Sequence, residues 1–272
     1  MSAYWDDGSE PDIRPSGILG GLRLVLRGGL LGSLVFGGLG VLLIVRLFER
    51  PLCGLHRPVT PHITVFVCRN ALRILGLRFA VLGAPMEGRG AVVANHASWL
   101  DIFALNAAKR IYFVSKSEVA GWPGIGWLAR STGTVFIERN PARAREQTAV
   151  FRARLLAGHK LLFFPEGTST DGRRVLPFKS SLFEAFFDPA LREEIAIQPV
   201  TLNYHAPRSE ESRFYGWWGE MTFGGHLVRM LAAPQHGTVE VVYHDPLRVA
   251  DYADRKALAA ACEAAVRDGH SA

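Results

Sequence analysis

The sequence predicts an α/β domain with a largely parallel sheet flanked by helices, preceded by an N-terminal two-helix membrane element. Three observations carry this. Beyond about residue 88, short apolar runs alternate with helical segments, the pattern of strands joined by crossover helices. Ahead of them, the 18 residues of 28–45 hold no charge. Three polar groups also fall where strands should end, the edge at which parallel sheets gather ligands.

Residues 1–17 are polar, with Asp6, Asp7, Glu10 and Asp12 and two prolines, and predict a mobile arm. As a helix, 28–45 would reach roughly 27 Å, close to a hydrocarbon core of about 30 Å. Arg27 and Arg46 bracket it, with stems long enough to reach headgroups. The run is too long and too far from Met1 for a signal peptide. Gly28 and Gly32, like Ser33 and Gly37, have the spacing that lets helices approach closely. The next apolar stretch, 62–79, sets Arg69 and Arg73 on one helical face. It reads as an interfacial amphipathic helix or as a core helix with a basic rim. Residues 18–87 are thus expected to form membrane-associated helices and 88–272 the α/β domain.

Within that domain, strands are expected at 91–94, 111–115, 134–138, 160–164, 195–202 and 238–243. Helices are expected at 99–108, 123–130, 142–157, 181–187 and 251–267. Residues 205–236 show no clear period, and their aromatic side chains either touch lipid or pack.

Composition narrows the function. With 49% hydrophobic and 21% charged residues, the 272-residue chain is not disordered. A net charge of +6 suits an anionic membrane face or nucleic acid. The arginines are dispersed, so nucleic acid is disfavoured, and the uncharged run selects the membrane. Cys53, Cys68 and Cys262 have neither zinc spacing nor a disulfide framework, and no metal or cofactor is called for.

The strongest chemical signal is Asn95-His96-Ala97-Ser98-Trp99-Leu100-Asp101, between an expected strand and an expected helix. Inside one helix, His96 and Asp101 would lie about 140° apart and never meet. They meet if His96 sits in the turn and Asp101 in the first helical turn. Ser98 as N-cap with Asp101 three residues on is close to a capping box, so Asp101 is alternatively only a first-turn acid. Of nine histidines, His96 alone has an aspartate five residues on. Arg139 and the Glu166–Gly167 turn fall at the ends of two further strands.

Together these residues resemble the 1-acylglycerol-3-phosphate acyltransferase (PlsC-like) family. Its four ordered blocks stand as NHASWLD at 95–101, GTVFIER at 133–139, FPEGTS at 164–169 and IQPVT at 197–201. The resemblance implies that His96 is a general base and Asp101 its orienting carboxylate. It implies that Asn95, Arg139, Glu166, Gly167, Thr168, Ser169 and Asp171 line the acceptor site. It also implies a lysolipid acceptor and an acyl-CoA or acyl-carrier-protein donor. The catalytic domain would face the cytoplasm from a bacterial inner membrane. Members acting on lysophosphatidic acid commonly have arginine after Glu-Gly-Thr; here Ser169 follows. Arg173, Arg174 or Lys179 would have to replace that cation, or the acceptor lacks a phosphate. The sequence is similar to the lyso-ornithine lipid acyltransferase branch, whose acceptor offers a carboxylate for Arg139 and an amine for Asp171. Alternatively, 169–172 is simply a turn.

Rival readings are weaker. A serine hydrolase lacks G-x-S-x-G, and Ser98 is too close to His96 to attack. The G-x-G-x-x-A run at 124–129 is separated from its strand by Trp122 and Pro123. A non-catalytic lipid binder anchored by 28–45 would need no base beside an arginine.

Overall fold

The computed structural model describes residues 5, 6, 8, 17–138 and 144–271; Arg139 and most of the expected N-terminal arm lie outside them. The chain opens with helix α1 (Gly17–Cys53), 37 residues and far longer than its uncharged centre. Helix α2 (Thr60–Leu75) packs back against it, capped by Glu49, which accepts the Val59 and Thr60 N–H groups and the Thr60 hydroxyl. The close approach between these helices is at Gly38, where a Cβ would sit 2.4 Å from Val67. It is not at the Gly32 or Gly37 of the expected small-residue pairs, which have open space around them.

Two expectations for this region are corrected. Arg27 and Arg46 do not reach outward. Arg27 donates to the carbonyls of Leu231 and Ala233, and Arg46 pairs with Glu49 at 3.1 Å. The 62–79 stretch is not one interfacial helix. α2 buries Cys68, Ala71, Leu72 and Leu75, and Arg69 donates to Ala107 O, so the core-helix alternative describes this face. The helix stops at Gly76, in the left-handed region at φ 81°, as glycine permits. The chain then enters strand β1 (Arg78–Leu82), which pairs with a late strand of the sheet. The sheet therefore begins ahead of the boundary expected at 88.

The remaining elements follow the expected alternation: β2 (Gly90–Ala94), α3 (Leu100–Ala108), β3 (Tyr112–Lys116), α4 (Ile125–Thr132), β4 (Val135–Ile137), α5 (Ala144–Leu156) and β5 (Leu161–Phe163). Next come a 3-10 turn (Ser180–Phe187), β6 (Ala196–His205), α6 (Phe223–Ala232), β7 (Thr238–Tyr243), β8 (Leu247–Arg248) and α7 (Arg255–Asp268). The strands lie in the order β1-β7-β6-β2-β5-β3-β4, with β8 on β6. Every pairing is parallel except those of β6 with β7 and β8. The sheet is largely parallel and flanked by helices.

Successive residues of β2 feed opposite cores, as the period of two requires. Val92 and Ala94 join the layer containing α2 and α3; Ala91 and Val93 join Phe183, Phe186 and Val266 on the other face. All five β2 residues are buried, placing the carboxyl end of β2 at the centre of the sheet edge.

Candidate active site

His96 stands two residues past the end of β2 and Asp101 lies in the first turn of α3, so the strand–helix junction brings them together. His96 Nδ1 lies 2.7 Å from Asp101 Oδ2. A carboxylate only accepts, so Nδ1 carries the hydrogen, and in the neutral imidazole Nε2 keeps its lone pair. Asp101 is fully buried while the His96 side chain remains 19% exposed. The same Oδ2 accepts the N–H groups of Ala97 at 2.9 Å and Ser98 at 3.1 Å. These N–H groups belong to the turn just ahead of the Trp99 cap, and Asp101 satisfies them by reaching back. The serine half of the expected capping box does not form. Trp99 occupies the cap position, and the Ser98 hydroxyl is buried without a hydrogen-bond partner among the described residues.

Three neighbouring segments hold this junction. The Phe164 ring lies flat on the imidazole, with centroids 4.0 Å apart and planes 11° from parallel. The His96 carbonyl accepts Thr170 N–H at 2.9 Å, and the Ala97 carbonyl accepts Trp217 N–H at 2.8 Å. Behind it, Trp99 Nε1 donates to His226 Nδ1 at 2.9 Å. Burial, and then Arg229, holds His226 down to about 3, so it is a neutral acceptor.

Several residues expected to meet the acceptor turn inward instead. Glu166 is buried; its two oxygens accept His96 N–H at 2.7 Å and Leu176 N–H at 2.8 Å. It positions the histidine backbone. Burial pushes its carboxyl up to about 8, against those two N–H bonds and with a smaller push from Asp101. Asn95 is buried and clamps β6, donating to Leu202 O at 3.0 Å and accepting Leu202 N–H at 2.7 Å. Asp171 is not open to an amine: buried, it pairs with Arg174 at 2.9 Å and accepts Arg173 N–H. Ser169 donates to Trp217 O at 2.5 Å.

Gly167 and Thr168 do remain at the surface of the turn, both half-buried. Gly167 has φ 74°, which favours glycine, and Lys179 Nζ lies 2.5 Å from where a Cβ would sit. Of the three replacement cations, Arg174 is held by Asp171 and lies over Trp5, and Arg173 bonds to Ser212. The exposed Lys179 has no acidic partner among the described residues and lies against the Gly167 turn.

A family model described as Acyltransferase matches residues 80–203, which include His96, Asp101 and Glu166. Over 265 residues the chain is 57% identical to the lyso-ornithine lipid O-acyltransferase of Rhodobacter capsulatus, covering 97% of this chain and 96% of that one. The chain belongs to the acyltransferase family. A shorter match, 39% identity over 125 residues, is to the 1-acyl-sn-glycerol-3-phosphate acyltransferase of Neisseria gonorrhoeae, covering 45% of this chain and 47% of the relative. Among solved structures, the acyltransferase shares its fold with PlsC, the 1-acyl-sn-glycerophosphate acyltransferase of Thermotoga maritima. The TM-score is 0.67 at 20% identity, over 94% of this chain and 96% of that one.

Sequence reasoning missed Tyr204, whose hydroxyl donates to Asp101 Oδ1 at 2.7 Å. It also missed Trp217 and His226. No local pattern marks any of them, since each reaches the junction from more than a hundred residues away. In the G-x-G-x-x-A run, Gly124 takes a positive φ of 71°, and Gly126 serves packing: a Cβ on it would strike Ala120 O at 2.2 Å.

Proposed function

We propose that this acyltransferase moves a fatty acyl group from an acyl-carrier-protein or CoA thioester to the hydroxyl of lyso-ornithine lipid, with His96 as general base. One observation carries the chemistry: a buried carboxylate fixes Nδ1–H at 2.7 Å and leaves Nε2 of a part-exposed imidazole open. As the acceptor oxygen bonds to the thioester carbonyl carbon, its proton passes to Nε2. The tetrahedral adduct collapses by breaking the C–S bond, and the imidazolium returns the proton to sulfur. Ester and thiol leave, with no covalent enzyme intermediate. A positioned base of this kind gives about 10²–10⁴-fold.

The acceptor reading is supported by the Rhodobacter relative and by Ser169, which stands where lysophosphatidic acid users commonly have arginine. An ornithine headgroup presents a carboxylate, and Lys179 beside the Gly167 turn is the open cation to meet it. Membrane association is supported by α1, whose most apolar 18-residue window is 11% buried. The exposed Trp122 and Trp127 extend that surface, since Phe36 of α1 approaches Gly124 between them. Cytosolic thioester donors put the catalytic face on the cytoplasmic side of a bacterial inner membrane.

The test offers purified enzyme in lipid vesicles lyso-ornithine lipid and lysophosphatidic acid side by side, with each donor, and follows thiol release. Faster release with lyso-ornithine lipid is expected. Release with lysophosphatidic acid alone would overturn the acceptor assignment, and none with either would overturn the reaction.

A further inference from the structure

Asp101 has a second oxygen, and its partner comes from the other side of the sheet centre. Oδ2 collects three N–H donors, whereas Oδ1 receives the Tyr204 hydroxyl at 2.7 Å. Tyr204 stands near the carboxyl end of β6, which runs parallel to β2 with Ala94 opposite Val200. It thus projects past the end of β2, beside the junction. Its ring rests on Tyr215, with centroids 5.3 Å apart, and Tyr215 is fixed by accepting Gly237 N–H at 2.7 Å. The phenol is therefore braced from behind and aimed at one atom.

We propose that Tyr204 is a positioning residue that sets the strength of the base: by drawing charge from Asp101 it limits how firmly Asp101 holds a protonated His96. The inference rests on His96 being the base. A carboxylate with more donors is a weaker partner for an imidazolium, because the same negative charge is shared. An imidazolium held less firmly gives up its proton more readily, which leaves Nε2 free to accept. Burial, with Asp101 beside it, drives the Tyr204 phenol well above its ordinary range, so it serves only as a donor. Among the described residues, the other titratable groups facing the pair are Glu166 from the β5 side, which carries the His96 N–H, and Tyr215 behind Tyr204. Glu166 engages the backbone and leaves Oδ1 to Tyr204.

The test reads the acid limb of the kcat/KM profile and, separately, the His96 imidazole titration by NMR. Tyr204→Phe keeps the ring and removes the donor; both midpoints should move up by about half to one pH unit. A 3-fluorotyrosine at position 204 is a stronger donor of the same shape, and both midpoints should move down. Tyrosine kept in a merely structural role would lower kcat or Tm and leave both midpoints in place. Unmoved midpoints in the two variants would overturn the proposal, as would shifts of the same sign. If Tyr204→Phe fails to fold, the fluorinated protein decides alone. The NMR titration needs no acceptor or turnover. An error in the catalytic reading would therefore appear as activity surviving His96→Ala, independently of this result.

Discussion

Replacing Asp101 by asparagine separates charge from geometry. In the structure, Oδ2 is the meeting point of His96 Nδ1–H, Ala97 N–H and Ser98 N–H, while Oδ1 faces a single rotatable hydroxyl. An amide must put its oxygen where three hydrogens converge and its NH2 toward Tyr204, whose oxygen turns to accept. The histidine keeps its tautomer, and only the negative charge is lost. Hydrogen bonds to charged groups are worth about 1.5–3 kcal/mol against roughly 0.5–1.5 for neutral ones. The transition state therefore loses about 1–3 kcal/mol, or about 5–150-fold in kcat. In serine hydrolases the equivalent change costs about 10⁴ because the wrong tautomer results. Thiol release at saturating donor and acceptor, with thermal unfolding alongside, measures both. A loss of 10³ or more at unchanged Tm would refute the reasoning, since the ring would then have lost its tautomer. A loss under about threefold would show that the charge takes no part.

His96→Ala should remove about 10²–10⁴ of the turnover with little change in Tm; a variant keeping half its rate in the thiol assay would defeat the base assignment. Glu166→Gln sets an NH2 against one of two N–H groups, costing about 1–3 kcal/mol and lowering Tm by roughly 2–10 °C in a calorimetric scan. Because burial raises Glu166 from 4.5 to about 8, the native state binds this proton more tightly than the unfolded chain. Its contribution to stability is thus greatest below 4.5 and falls as pH rises toward 8, a slope that Tm measurements should find flattened in the glutamine variant. Asn95→Ala leaves the Leu202 N–H and carbonyl without their clamp and should cost about 2–5 kcal/mol in urea unfolding. Lys179→Ala should raise KM for the acceptor about tenfold while kcat changes little, read from acceptor titrations at fixed donor.

The alternation of strands and helices made the sheet legible, and a five-residue spacing across one junction made the dyad legible, because both are local. Direction was not. Asn95, Glu166 and Asp171 sit in the right blocks, but a polar residue at a strand end either faces a ligand or ties down a neighbouring backbone. Only tertiary burial separates the two. β1 was hidden because the apolar run of α2 continues into Phe79, although Gly76 was an available helix stop. Tyr204, Trp217 and His226 carry no local signal, as their partners lie at the far end of the domain.

These inward-turning residues change how acceptor choice should be understood. Ser169 occupies the position of a phosphate-binding arginine, yet it is not an empty place in a binding site. Its hydroxyl bonds to Trp217 O, and Trp217 N–H bonds to the carbonyl of Ala97, the residue after His96. Thr170 N–H bonds to the carbonyl of His96 itself. Asp171, two residues beyond Ser169, is closed off by Arg174, which in turn meets Trp5. The 164–174 segment therefore works as a brace that fixes the imidazole from behind. Under the proposed function, Thr168 and Lys179 around the Gly167 turn, which the brace leaves outside, are the side chains of this segment open to a headgroup. In this acyltransferase, exchanging serine for a cation at 169 would disturb the placement of His96 as well as the charge offered to the acceptor, so the two properties cannot be changed one at a time there.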